Sequence, residues 1–208
     1  MFSGITRGCY PVVACTLLED RLDYTVQFSE ALCQQLTVGN SVSVNGVCQT
    51  VTHLESTLVS FQAIAATLQC TTLKFLKKGD LVSVERSLRV GDEIGGHFLS
   101  GHISDTGRIV RKQTSASTVT LTIQCAPEWM KFCFPKGFIA LDGSSLTLGH
   151  CDPLKGQFDV HLIPETLKTT LFASKNPGDL VNIEIDALTQ LIVQTVENTI
   201  KARRRRSP

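Results

Sequence analysis

Asn45-Gly46-Val47-Cys48-Gln49-Thr50-Val51 decides the fold, because the chain writes it again as Asp142-Gly143-Ser144-Ser145-Leu146-Thr147-Leu148. The offset from Asn45 to Asp142 is 97 residues, and Ser3-Gly4 returns as Ser100-Gly101 at the same offset. Gly79-Asp80-Leu81-Val82-Ser83-Val84-Glu85 returns as Gly178-Asp179-Leu180-Val181-Asn182-Ile183-Glu184, and Ala65-Ala66-Thr67-Leu68 answers Pro164-Glu165-Thr166-Leu167, both offset by 99. So long a period does not belong to a solenoid, whose units run roughly 20 to 50 residues. It describes two copies of one domain of about 95 residues, large enough to bury roughly 60 to 65% of its unfolded surface. The predicted units are 1–96, 97–187 and a C-terminal segment 188–208. Two similar pockets suit a protein that handles two similar ligands.

Each copy reads as β structure. Ser41-Val42-Ser43-Val44, Thr57 to Phe61, Asp80 to Val84 and Thr118 to Ile123 mix β-branched and apolar residues, while Gly39, Gly46, Gly79, Gly143 and Gly178 fall where turns would separate such runs. Short strands at this spacing predict an all-β chain of small closed barrels, which leave no exposed edge. Ser29 to Leu36 predicts a short helix with Ser29 as its cap and Glu30 in its first turn. Ala65 to Leu73 and Glu165 to Leu171 predict two more. A longer helix follows the second copy, capped by Thr189, with Leu191, Ile192, Thr195, Val196, Thr199 and Ile200 on one stripe. That stripe either packs on its own barrel or meets the same helix of other subunits.

With 42% hydrophobic and 19% charged residues, the 208-residue chain has the composition of a soluble globular protein. No apolar run approaches the ~18 to 20 residues of a membrane span, and no secretion signal is expected, so the predicted location is cytoplasmic. The eight cysteines form no CxxC pair, which predicts reduced thiols, no metal and no disulfide framework. Lys201 and Arg203 to Arg206 concentrate five positive charges in the last eight residues and leave 15 basic against 19 acidic groups before them. Without an aromatic-interleaved basic face this reads as a solvated, disordered tail and not a nucleic-acid site.

Five segments in order resemble the riboflavin synthase family of the α-subunit type: Met1-Phe2-Ser3-Gly4-Ile5, Asn45 to Val51, Gly95-Gly96-His97-Phe98-Leu99-Ser100-Gly101-His102, Lys136 to Thr147, and His161 to Leu167. The resemblance spans nearly the whole chain. It implies two six-stranded antiparallel Greek-key barrels, each a lumazine-binding unit, and a C-terminal helix that joins three chains into a homotrimer. It implies one reaction: two molecules of 6,7-dimethyl-8-ribityllumazine exchange a four-carbon unit, giving riboflavin and 5-amino-6-ribitylamino-uracil, the last step of riboflavin biosynthesis. The 7-methyl protons of this lumazine are acidic because the carbanion delocalises into the pteridine, so the chemistry requires no metal or redox cofactor. A productive pair is expected between the N-terminal barrel of one chain and the C-terminal barrel of a neighbour. Lumazine synthase is a further partner the resemblance raises.

Positions where the copies disagree carry the catalytic expectations. His102 stands where the first copy has Ile5, which suits a proton-transfer group needed in one pocket, or a histidine that bonds a turn. His97 is a second histidine open to either reading. Cys48 and Ser145 are equivalent, each on one strand face with Thr50 or Thr147. Either can add transiently to ring C7, as can hydroxide, and a thiol does so better than a serine lacking a base; alternatively both merely bond the heterocycle. Asp186 answers Ser87 and either orients catalytic groups or caps the final helix. By resemblance, ring contacts fall to Gly4, Ile5 and Thr6, to Gly101, His102 and Ile103, to Cys48, Gln49 and Thr50, and to Ser145, Leu146 and Thr147. Further contacts fall to Gln62, Ala63, Ile64, Ala65, Ala66 and Thr67, and to His161, Leu162, Ile163, Pro164, Glu165 and Thr166. Lys136 is expected to reach a neighbour's ligand. Ser41 is a ribityl contact or an ordinary strand serine, and Phe2 closes over the ring or fills a core. One departure stands out: the 62–67 stretch lacks the proline and glutamate of the second copy. A lumazine-binding antenna protein on the same barrels, with one barrel degenerate, is the alternative of a different class.

Overall fold

The computed structural model describes residues 1–204. Strands β1 (Cys9–Leu17), β2 (Arg21–Gln27), β3 (Ser41–Val44), β4 (Val47–Glu55), β5 (Leu58–Ile64) and β6 (Leu81–Arg86) close into a barrel in the order β1-β2-β5-β4-β3-β6. Strands β7 (Asp105–Thr114), β8 (Val119–Gln124), β9 (Phe138–Leu141), β10 (Ser144–Asp152), β11 (Gln157–Leu162) and β12 (Leu180–Ile185) close the second in the same cyclic order. Each pairing is antiparallel, as the expected Greek-key barrels require. The register breaks between Val12 and Ala14 recur between Ile109 and Arg111, on equivalent strands. Such bulges sharpen the bend with which a short strand closes a barrel.

Alternation fills both interiors. Leu22, Tyr24 and Val26 of β2 meet Val59, Phe61 and Ala63 of β5, all buried. In the second barrel Leu121 and Ile123 meet Phe158 and Val160 in the same way. Each fully buried side chain of this size contributes about 1.5 to 3 kcal/mol. With the interiors occupied by side chains, a ligand must sit on an outer face.

The two repeated turns sit back to back. Asn45 (φ 48°) and Gly46 (φ 83°) join β3 to β4, and Asp142 (φ 45°) and Gly143 (φ 83°) join β9 to β10. Two positive φ values make each a two-residue turn whose twist matches that of the strands it joins. Asn45 Oδ1 accepts the Ser83 N–H at 2.8 Å, and Asp142 Oδ1 accepts the Asn182 N–H at 2.8 Å, pinning each turn to the last strand of its own barrel. The tips touch: a Cβ on Gly46 would lie 2.5 Å from the Gly143 nitrogen. Asn182 spans the junction, donating from Nδ2 to the Asn45 carbonyl and accepting the Thr72 N–H, both at 2.7 Å.

The three short helices are shorter than their sequence patterns suggest, and the C-terminal one is longer. α1 is Glu30–Cys33, with Leu32 N–H donating to Ser29 Oγ at 3.3 Å as predicted, and the left-handed Gln35 (φ 55°) prevents its extension to Leu36. α2 (Ala65–Cys70) and α3 (Pro164–Thr169) each stop at an extended threonine, Thr71 or Thr170, before a 3₁₀ turn. Those hydroxyls bond back to the carbonyls of Thr67 and Thr166 and satisfy the helix ends. α4 spans Ala187–Arg204. Its cap is Asp186 and not Thr189: Asp186 Oδ2 accepts both the N–H (2.9 Å) and the hydroxyl (2.7 Å) of Thr189. A carboxylate three residues ahead bonds the free N–H groups of the first turn and complements the helix dipole. Val193 packs on the second barrel and Lys131 pairs with Glu197 at 2.9 Å, while Leu191, Ile192, Val196 and Ile200 remain exposed. Lys201 to Arg204 continue this helix, and residues 205–208 of the expected tail lie outside the described residues. No helix among the described residues is long and apolar enough to cross a membrane.

Candidate functional site

The segments that precede the two barrels pair with each other. Phe2 and Leu99 exchange backbone hydrogen bonds of 2.8 and 3.0 Å and bury their side chains with Ala140 between the barrels. From there each chain segment crosses over. The Gly4 carbonyl accepts the Ser145 N–H of the second barrel at 2.8 Å, and the Gly101 carbonyl accepts the Cys48 N–H of the first at 2.9 Å. Both glycines have left-handed φ, 76° and 77°. A Cβ on Gly4 would lie 2.5 Å from Ser145 Cβ, and one on Gly101 2.6 Å from Cys48 Cβ, so only glycine permits the approach.

On the second barrel this arrangement leaves a cleft of about 400 Å³, lined among others by Gly4, Ile5, Thr6, Ser145, Ile163 and Thr166. Glu165 at the rim pairs with Lys168 at 3.1 Å. Thr6 Oγ1 and Ser144 Oγ bond across the floor at 3.0 Å. Ser145 and Thr147 share one face, as their i, i+2 spacing predicts, and that face is the outer one, whereas Leu146 and Leu162 point into the core. His161 also faces out and bonds Thr120 Oγ1 at 2.9 Å, with Pro164 opening α3 beside it.

The first barrel repeats the pattern with Gly101, His102 and Ile103 in the crossing segment. Cys48 and Thr50 face outward, Ile64 is exposed, and Ala65, Ala66 and Thr67 open α2. Gln49 turns inward, where its Oε1 accepts the Tyr24 hydroxyl at 3.3 Å, and Ala63 is likewise interior, so these two can offer only backbone to an outer ligand. Gln62 faces out beside them. Ser41 lies opposite Thr50 across the β3–β4 ladder. His102 is exposed, its N–H donating to Ser100 Oγ at 3.1 Å. Lys136 is exposed in a left-handed turn (φ 70°), its N–H bonded to the Leu148 carbonyl.

His97 joins the second site more directly than its sequence context suggested. Its Nδ1 lies 2.6 Å from Ser145 Oγ, and its ring stacks on Phe138 at 5.0 Å. Burial pushes the imidazole below its ordinary value, with the Asp186 charge acting in the opposite sense, which keeps the ring neutral at pH 7. Ser145 therefore has a base within reach. Sequence reasoning assigned no role to Glu85 and Glu184, which hold the two crossing segments. Their repetition was visible, but the sequence does not show what they bond.

Both copies match the family model described as the lumazine binding domain, over residues 3–87 and 100–186. Two barrels with like sites on their outer faces thus define a duplicated lumazine-binding-domain protein. Curated riboflavin synthases resemble the chain end to end: that of Buchnera aphidicola subsp. Schizaphis graminum is 43% identical over 97% of this chain and 96% of its own, and that of Escherichia coli K12 is 41% identical over 98% and 95%. The chain belongs to the riboflavin synthase family. Among solved structures, LumP complexed with riboflavin shares the fold with a TM-score of 0.83 at 20% identity, covering 89% of this chain and all of that one. LumP complexed with 6,7-dimethyl-8-(1'-D-ribityl) lumazine does so with a TM-score of 0.81 at 19% identity.

Proposed function

We propose that the protein is a riboflavin synthase, an enzyme that takes a four-carbon unit from one 6,7-dimethyl-8-ribityllumazine and delivers it to a second, releasing riboflavin and 5-amino-6-ribitylamino-uracil. The observation that carries this reading is the presence of two outer-face sites of one design, each completed by a glycine of the other copy. One compound used twice needs two such sites. Holding two reactants in an attack geometry can supply on the order of 7 to 11 kcal/mol of the barrier, and proton transfer adds about 10² to 10⁴ in rate.

His102, exposed at the first site, moves the proton of a 7-methyl group. At the second site Ser145 Oγ adds to ring C7: the C–O bond forms, the hydroxyl proton passes to His97 Nδ1, and the C6=C7 π pair moves through N5 and C4a to the C4 carbonyl oxygen. Cys48 is the corresponding nucleophile of the first site, and Thr50, Thr147, Thr67 and Thr166 orient the heterocycles. Ser41 completes the first site, Phe2 fills the core between the barrels and does not close over a ring, and Asp186 sets the field around His97. The uncovered stripe of α4 joins three chains, bringing Lys136 to a neighbour's ligand and the first barrel of one chain to the second barrel of the next. The reading places the protein in the cytoplasm, in keeping with its eight free thiols.

A 7-oxo analogue of the lumazine lacks the acidic 7-methyl group and serves as a non-reacting probe. Equilibrium dialysis with it is expected to give two molecules bound per chain. One per chain would mean that a barrel has lost its site and would contradict the proposal.

A further inference from the structure

Two carboxylates lie buried at repeated positions on the outer faces, covered by the crossing segments, Glu85 on β6 and Glu184 on β12. Glu85 Oε1 accepts the Ser3 N–H at 2.6 Å and the Ser3 hydroxyl at 2.7 Å, while its Oε2 accepts the Gly4 N–H at 3.0 Å. Glu184 Oε1 accepts the Ser100 N–H and hydroxyl, both at 2.7 Å, and its Oε2 accepts the Gly101 N–H at 3.1 Å. Burial pushes both carboxyls above the usual carboxylate range, and these hydrogen bonds oppose the shift. A buried carboxylate is costly unless its oxygens are satisfied, so an apolar side chain would serve a strand better. What the carboxylate adds is a fixed position for two consecutive backbone N–H groups.

Those groups belong to the crossing segments. Glu184 sits on the second barrel and holds Gly101 against Cys48 of the first; Glu85 sits on the first and holds Gly4 against Ser145 of the second. Resting on the function proposed above, we propose that Glu184 and Glu85 are crossed positioning residues, each fixing from one barrel the glycine loop that completes the ligand site on the other. Damage to a clamp is therefore read in the opposite barrel.

Cys48, half-buried under Gly101 and packed at its edge against the cluster of Phe2, Leu99 and Ala140, meets the glycine of one loop only and reports chiefly on that loop. The test is alkylation of the full chain by iodoacetamide, with the Cys48 peptide quantified by mass spectrometry with and without 6,7-dimethyl-8-ribityllumazine. In Glu184→Gln one carboxylate oxygen becomes an amide nitrogen, setting a donor against the N–H groups the carboxylate served. The ligand-free alkylation rate at Cys48 is expected to rise about tenfold, with a similar rise in the lumazine concentration giving half protection. Glu85→Gln removes the equivalent bonds from the other loop and is expected to leave both readings within about twofold while turnover falls. Ser100→Ala removes the hydroxyl that donates to Glu184 and accepts the His102 N–H but keeps both backbone N–H bonds to the carboxylate, so it gives a smaller change at Cys48 in the same direction, and Ser3→Ala gives none. This pair carries the test if the glutamine variants do not fold. An effect of Glu85→Gln or Ser3→Ala at Cys48 as large as that of its counterpart overturns the inference. So does no effect from any variant that keeps the near-ultraviolet circular dichroism of the parent. If the ligand-free rates follow the crossed pattern but lumazine fails to protect Cys48 in the parent chain, the clamps are upheld and the ligand placement falls.

Discussion

His102→Gln should lower kcat about 100-fold while changing the dissociation constant of the lumazine by less than about threefold. The imidazole is exposed and enters no hydrogen bond of the crossing loop; the loop is held instead by the His102 backbone N–H on Ser100 Oγ and by Gly101 on Glu184. A glutamine of similar length leaves those bonds intact, so binding should persist. It cannot move a proton near neutral pH. Such a loss corresponds to about 2.7 kcal/mol of transition-state stabilisation. Single-turnover kinetics and a ligand titration separate the two quantities, and equal losses in both would make His102 a structural residue. The position is also one where the copies differ, Ile5 standing in its place at the second site.

Gly46→Ala should cost about 3 kcal/mol of stability, the sum of a strained left-handed residue and an overpacked contact. Its Cβ would lie 2.5 Å from the Gly143 nitrogen, backbone that cannot swing aside as a side chain can. For a domain pair of this size the melting temperature should fall by about 6 to 12 °C. Gly79→Ala is the internal control. It shares a left-handed φ, 95°, but has nothing within 4 Å of the added atom. It should lose only about 1 kcal/mol for the backbone. Calorimetry giving equal losses for the two would mean that the meeting of the turns contributes nothing to holding the barrels together.

These two cases mark what could be read from the residues alone. Asn45-Gly46 and Asp142-Gly143 announce tight turns because the left-handed conformation is a local property, and the flanking strands follow from alternation. Local pattern also put Cys48 with Thr50 on one face. It did not say that this face is the outer one, since neither side chain is apolar or polar enough to decide. Gln49 illustrates the difficulty: a polar residue goes inward because the Tyr24 hydroxyl satisfies it there. The crossing of Ser3-Gly4 and Ser100-Gly101 was beyond reach for another reason. A repeat shows that two segments do the same thing, but not whether each does it for its own copy or for the other. The same limit hid the acceptors of Glu85 and Glu184. Two caps were legible for α4, Thr189 before the apolar stripe and Asp186 at the end of the second copy; Asp186 offers a charged oxygen one turn earlier and takes both of the threonine's donors. His97 was legible as a histidine after two glycines; its base-like distance from Ser145 came only from folding the loop onto the second barrel.

The central claim is that two like sites use one compound twice. Its most direct test is incubation of the purified protein with 6,7-dimethyl-8-ribityllumazine as the only reactant, following riboflavin by absorbance and the remaining lumazine by chromatography. The expected result is continuous turnover in which each riboflavin formed consumes two lumazines and releases one 5-amino-6-ribitylamino-uracil. Saturable binding of the lumazine with no riboflavin formed would contradict it, and would make the chain a lumazine-binding protein without catalysis.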